Sequence, residues 1–150
     1  MRKLFACAAL VLLAISCNSD NGNPTDPSQV NIEFTTTEIT IGPGAQAVAG
    51  NLATVGYTGW LYNAAGSESK GMQFGSSNDP PPAGGPLQVR LGAGQFLPGF
   101  EQGIMGMRVG GKRRVYMPAS LAYGSRGSQD GRIPPNAALV FEIDLLTLVQ

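Results

Sequence analysis

The last third of this chain offers aromatic, glycine and proline residues but no histidine, no cysteine and no phosphate-cradling lysine loop, and the whole sequence of 150 residues includes no histidine. A serine–histidine–acid triad and any histidine-ligated metal site are thereby excluded. The two cysteines, Cys7 and Cys17, both lie near the start of the chain. What remains is concentrated in four separate segments of the last third. They are Leu97-Pro98-Gly99-Phe100-Glu101, Val109-Gly110-Gly111-Lys112-Arg113-Arg114, Leu121-Ala122-Tyr123-Gly124 and Ile133-Pro134-Pro135-Asn136-Ala137. Rings and branched aliphatic side chains set among glycines and prolines can line a dry, rigid groove. Gly92-Ala93-Gly94 lacks the surroundings of a dinucleotide fingerprint, so no phosphate-cradling loop competes with that reading.

In order and spacing, these segments resemble the FKBP-type peptidyl-prolyl isomerases, and the resemblance covers about residues 31–150. It implies a shallow apolar cavity between sheet and helix that receives a proline side chain. Tyr57 matches the family's tyrosine on an early strand, and Phe74 an aromatic wall residue. Phe96 and Leu97 match the apolar pair before the helix, the second of which offers its backbone N–H to a bound carbonyl. Phe100 takes the floor position, often tryptophan in the family. Tyr123 matches a loop tyrosine whose hydroxyl holds a substrate carbonyl, and Ile133 and Phe141 match the far wall. Taken one at a time, Phe100, Ile133 and Phe141 also read as ordinary core residues. Tyr57 and Tyr123 do so less easily, since a buried hydroxyl demands a partner.

Three positions depart from the family pattern. Gly75 stands where an aspartate usually follows the wall phenylalanine, Leu87 replaces a second wall aromatic, and Gln95 replaces a frequent glutamate. An insertion also separates Leu61 from Phe74. Asp79 is close enough in sequence to Gly75 to be a substitute carboxylate. The resemblance implies prolyl cis–trans isomerisation without a cofactor. Rotation about a peptide bond is opposed by about 18–20 kcal/mol of resonance, and X–Pro exchange takes tens to hundreds of seconds. A dry pocket that disfavours the planar, more polar amide, with donors set for the rotated carbonyl, lowers that barrier without a nucleophile. The alternative reading is a binding module that captures proline-containing segments or a partner protein with weak turnover.

The elements that must position these residues follow from patterning. Alternation and β-branched residues predict strands over Val30–Ile41, Leu52–Leu61, Leu87–Leu91, Arg113–Met117 and Ala138–Val149, with a short extended segment around Phe74. Pro98 suits the first turn of a helix, and Phe100, Ile104 and Met107 recur at helical spacing up to about Gly106. Glu101 then lies near the positive end of the helix dipole. Glycine- and serine-rich loops are predicted over Tyr62–Met72 and Ala119–Asn136. The fold class is therefore α+β, a five- to six-stranded antiparallel sheet curled around one short helix.

With 43% hydrophobic and 13% charged residues the chain can build one core, and 21 glycines with 11 prolines favour turns over long helices. Arg2 and Lys3 precede an apolar run from Leu4 to Ile15, the pattern of an export signal. Leu13-Ala14-Ile15-Ser16-Cys17 looks like a bacterial lipoprotein signal, which would leave an acylated Cys17 at the new N-terminus. Residues 1–16 are thus read as signal, 17–30 as lipidated cysteine and polar tether, and 31–150 as the domain. Without residues 1–16 the chain has 8 basic and 10 acidic residues, a net charge of −2. That balance argues against a nucleic-acid partner, and Lys112-Arg113-Arg114 reads as a strand whose alternate residues face water. The expected setting is the bacterial cell envelope. There a monomer anchored to a membrane by its lipid would meet proline-containing peptides and exported proteins as they fold.

Overall fold

The computed structural model describes residues 30–150, so the expected signal, Cys17 and nearly all of the expected tether lie outside the described residues. Six strands and one helix make up the rest. They are β1 (Thr35–Thr40), β2 (Leu52–Tyr62), β3 (Lys70–Ser76), β4 (Leu87–Arg90), α1 (Pro98–Ile104), β5 (Lys112–Met117) and β6 (Leu139–Val149). All pairings are antiparallel, in the order β1-β5-β6-β2-β3, with β4 also on β2. The two long strands lie side by side in the middle, β2 pairing with β6 from Leu52 opposite Val149 to Leu61 opposite Leu139. β4 takes the first half of β2 and β3 the second half.

The strand period of two aims Leu139, Phe141, Ile143 and Leu145 of β6 at one core, with Ala53 and Val55 of β2 and Val115 and Met117 of β5. Helix α1 covers that face with Phe100 and Ile104. It lies directly on β5 because it turns two glycines toward it. A Cβ on Gly99 would fall 2.6 Å from the Met117 side chain, and one on Gly103 would fall 2.6 Å from Val115. The spacing of four puts both glycines on one face of the helix, and any larger residue would lift the helix off the sheet.

Several boundaries differ from the sequence expectation, each for a physical reason. The first strand shrinks from Val30–Ile41 to Thr35–Thr40 because its one partner, β5, offers only Lys112–Met117 to pair with. The predicted loop over Tyr62–Met72 contains a short 3-10 turn at Ser67–Ser69 and the start of β3 at Lys70. The glycines and polar residues of β3 hide its strand character, and β2 supplies the ladder through two irregularities near Trp60. The long loop at Ala119–Asn136 contains 3-10 turns at Ala119–Leu121 and Gly124–Arg126.

The basic run also differs from its water-facing expectation. The Arg113 and Arg114 side chains are 11% and 12% exposed and point to opposite faces of the sheet. Arg113 pairs with Glu38 and donates to the carbonyls of Gly103 and Met105, which end α1, at 2.7 and 2.9 Å. Arg114 joins Glu142, Glu68 and Lys70 in an ion-pair network on the outer face.

Candidate active site

Between α1 and the concave face of the sheet lies a cavity of about 320 Å³. Tyr57, Phe74, Phe96, Leu97, Phe100, Tyr123, Ile133 and Phe141 all line it. The structure thus brings the eight residues singled out in the sequence to one hollow from β2, β3, the α1 approach, α1 itself, the 119–136 loop and β6. Phe100, Ile133 and Phe141 form a floor that is also core, at 3–4% exposure. Tyr57, Phe74, Phe96 and Leu97 are half-buried walls packed on that floor. Tyr123 stands at the mouth, 39% exposed.

The rings interlock edge to face. Phe141 meets Phe100 at a centroid distance of 5.2 Å and 73°, and Phe74 at 5.5 Å and 81°. Tyr57 stands at 90° to Phe100, 6.1 Å away. Such contacts contribute about 0.5–1.5 kcal/mol each beyond area burial and hold the rings in one orientation. Gly59 makes this packing possible. A Cβ there would lie 2.5 Å from the Phe74 ring and 2.9 Å from Phe141, so only glycine lets both rings lie against β2.

Local hydrogen bonds place the wall and the mouth. The backbone of Tyr57 is tied to the turn after β3 by its N–H to Ser77 Oγ at 2.9 Å and by Ser77 N–H to its carbonyl at 2.8 Å. Asp79 Oδ2 accepts the N–H of Ser76 at 2.8 Å, which brings this carboxylate into the cavity wall. In the 119–136 loop Ser128 closes a turn on Ile133, its N–H to the Ile133 carbonyl and its Oγ accepting the Ile133 N–H, both at 2.9 Å. Asn136 N–H to the Gly124 carbonyl at 2.8 Å closes the loop behind Tyr123.

The hydroxyls of Tyr57 and Tyr123 depart from the expectation of a buried partner. No hydrogen bond to another described residue acts on either hydroxyl, and both residues border the cavity. Burial pushes the Tyr57 phenol above the usual tyrosine range, and the Asp79 charge adds to it. Burial likewise raises Tyr123, followed by Asp130 and Tyr57. Both groups therefore stay protonated donors throughout the neutral range. The Leu97 N–H, in the same wall, also has no partner among the described residues.

Four lining residues were missed in the sequence: Ala83, Ser128, Asp130 and Arg132. Arg132 donates to the Phe74 carbonyl at 3.3 Å and pairs with Asp130 at 3.4 Å. The length of the 119–136 loop marked it as functional, but nothing in its composition says which of its polar residues turns inward. Leu87 and Gly75, noted as departures, also border the cavity.

Comparison with known proteins agrees with this architecture. The family model described as FKBP-type peptidyl-prolyl cis-trans isomerase matches residues 44–146. The chain is 35% identical to FK506-binding protein 2 of Dictyostelium discoideum over 144 residues, 96% of this chain and 97% of that protein. It is 43% identical to the FK506-binding protein of Neisseria meningitidis serogroup A over 109 residues, 73% of this chain and 90% of the relative. Among solved structures, AtFKBP13 superposes with a TM-score of 0.64 at 32% identity, covering 84% of this chain and 98% of that one. A peptidyl-prolyl cis-trans isomerase from Pseudomonas syringae pv. tomato gives 0.61 at 31% identity over 78% of this chain and 76% of that one. With its fold, its aromatic cavity and these relatives in agreement, the chain belongs to the FKBP-type peptidyl-prolyl cis-trans isomerase family.

Proposed function

We propose that this protein accelerates Xaa-Pro rotation in exported proteins, with Tyr57, Phe74, Phe96, Leu97, Phe100, Tyr123, Ile133 and Phe141 as the residues that carry it. The observation behind this assignment is one cavity in which interlocked rings surround three donors without a partner among the described residues: the Tyr57 and Tyr123 hydroxyls and the Leu97 N–H. The proline ring enters against Phe100 and Phe141. Water is excluded there, so the planar amide, which carries the larger dipole, loses more hydration than the twisted one. As the bond rotates, its carbonyl turns toward the Leu97 N–H or the Tyr123 hydroxyl. Each 1.36 kcal/mol by which these donors favour the twisted form is worth about tenfold in rate. No bond is made or broken, so neither nucleophile nor cofactor is needed.

NMR exchange on a Xaa-Pro peptide, run with the purified full chain, tests this. Acceleration over buffer that falls in Tyr123→Phe and Phe141→Ala supports it, and a folded protein that only binds the peptide overturns it in favour of the capture reading. That second reading rests on Gly75, which leaves the wall without a side-chain carboxylate at that position. The relatives are named for binding FK506, and competition between FK506 and the peptide would place both in the same cavity.

The setting we propose is the bacterial envelope, with Cys17 acylated and residues 18–30 as the tether of a monomeric domain. Its support is the charged, apolar and small-residue pattern that ends at Cys17. Each buried methylene of an acyl chain adds about 0.8 kcal/mol, so two or more chains anchor stably. Mass spectrometry of the mature protein from a bacterial host should find acylated Cys17 at its N-terminus. A soluble product with residue 17 unmodified would overturn the anchor and leave the isomerase assignment intact.

A further inference from the structure

Glu101 is the buried charged residue of the described structure, 7% exposed, and no ion pair there includes it. Instead of facing solvent at the helix start, its carboxylate turns back onto the loop that precedes α1. Oε2 accepts the N–H of Gly92 at 3.0 Å and of Gly94 at 3.4 Å, and Oε1 accepts the N–H of Phe96 at 3.1 Å. These are alternate amides of a single strip of backbone, all drawn to one side chain. A buried carboxylate needs such donors, and charge-assisted bonds of this kind are the stronger and more directional ones. The strip ends at Phe96 and Leu97, the two wall residues of the cavity.

We infer that Glu101 is a positioning residue for the isomerase, acting through the 92–96 loop to present the Phe96 ring and the Leu97 N–H to the substrate. The floor does not depend on it in the same way. Phe100 belongs to α1, whose end is held separately by Arg113 on the carbonyls of Gly103 and Met105. Loss of the Glu101 carboxylate therefore loosens one wall while the floor stays in place. A loosened wall lowers the fraction of free protein ready to bind. That raises KM by the inverse of the fraction and leaves the turnover of the assembled complex nearly unchanged.

Glu101→Gln in the full chain tests this, since glutamine keeps the shape but turns one acceptor into a donor that faces backbone N–H groups. The expected result is a rise in KM of about fivefold with kcat within about twofold, as a fall of the ready fraction to about one fifth requires. In NMR spectra the amide signals of Gly92, Gly94 and Phe96 should move upfield and that of Leu97 broaden, while the Phe100 ring signals stay put. Leu145→Ala, a core truncation outside the cavity lining, provides the comparison. It should lower the melting temperature at least as much and leave KM unchanged. The inference rests on the isomerase assignment for its kinetic arm only, because the amide signals need no turnover. An unchanged KM with unmoved amides in Glu101→Gln overturns it, as does a KM rise matched by Leu145→Ala, or a fall in kcat at constant KM.

Discussion

Phe100 and Phe141, at the floor of the cavity, are 3% and 4% exposed and touch each other edge to face, whereas Tyr123 at its mouth is 39% exposed and its hydroxyl has no partner among the described residues. The floor is made mostly by regular structure, Phe100 from the helix and Phe141 from β6 with Ile133 added from the 119–136 loop, and its side chains belong to the core as well as to the cavity lining. The mouth is made by a loop closed on itself by Ser128, Ile133, Gly124 and Asn136 and tied to the wall by Arg132 on the Phe74 carbonyl, while the Tyr123 hydroxyl bonds no other described residue. A site divided in this way separates two tasks. The floor excludes water and must be rigid, which close packing gives without further cost. The mouth must offer unspent donors, which packing would only occupy.

The comparison breaks most visibly at Phe141. Truncation of a buried phenylalanine to alanine costs about 3–5 kcal/mol of stability, transfer and cavity terms together. Phe141→Ala should therefore shift the denaturant midpoint strongly and reduce isomerisation in the fraction that remains folded. A variant with wild-type stability would mean that the floor is not core. Tyr123→Phe addresses the other side. A hydroxyl that bonds no other described residue can be removed with stability unchanged to within about 0.5 kcal/mol. Its absence should nevertheless lower kcat/KM by about two- to tenfold, the worth of one hydrogen bond of 0.5–1.5 kcal/mol made to the substrate. Equal losses of stability and activity in both variants would erase the distinction between floor and mouth.

The same division decides what could be read from the sequence. Alternation in Ala138–Val149 and the helical recurrence of Phe100, Ile104 and Met107 show the core face, so the floor was visible as packing before any site was considered. The eight lining residues needed the family resemblance as well, because periodicity cannot tell a core phenylalanine from one that also borders a hollow. Asp130 and Arg132 were not legible by either route. They lie in a loop without period, and only the fold turns them toward Phe74. Glu101 was seen as a partner for the helix dipole, when its real partners are amides five to nine residues earlier. β3 was the poorest strand signal, since Gly71 and Gly75 weaken its propensity and β2 supplies its ladder from outside.

Behind the floor, Glu142 follows Phe141 on β6 and points to the opposite face of the sheet. Burial by itself would raise its pKa, but hydrogen bonds from Lys70 and Arg114, both at 2.7 Å, outweigh this and hold it below the usual value. A carboxyl depressed in the folded state stabilises it above the unfolded value of about 4.3, and that contribution is lost as pH falls through the folded pKa. Thermal melts should thus show a loss below about pH 4.3, and Glu142→Gln should flatten that slope. At neutral pH the substitution should cost about 1 kcal/mol, because the network is partly exposed and screened by salt. Isomerase activity should not follow it, since nothing in this network borders the cavity.

The smallest expected effect is also the one that sharpens the comparison, because it adds a group to the wall between floor and mouth. A Cβ on Gly75 would lie 3.9 Å from the Tyr57 hydroxyl with no other contact, so an aspartate fits there without displacing a neighbour. Its carboxylate would come within reach of a hydroxyl that now has no partner among the described residues. Asp79 already sets a negative charge near that phenol and helps raise its pKa, so part of the electrostatic work is done from the next turn. What Asp79 does not supply is a hydrogen bond that fixes the hydroxyl's direction. Gly75→Asp should therefore raise kcat/KM by about two- to threefold, roughly half the effect of a fully formed bond, with the melting temperature nearly unchanged. No gain in the NMR exchange rate would mean that Asp79 alone suffices. In that case Tyr57 acts as wall, and directed donation falls to Tyr123 and the Leu97 N–H.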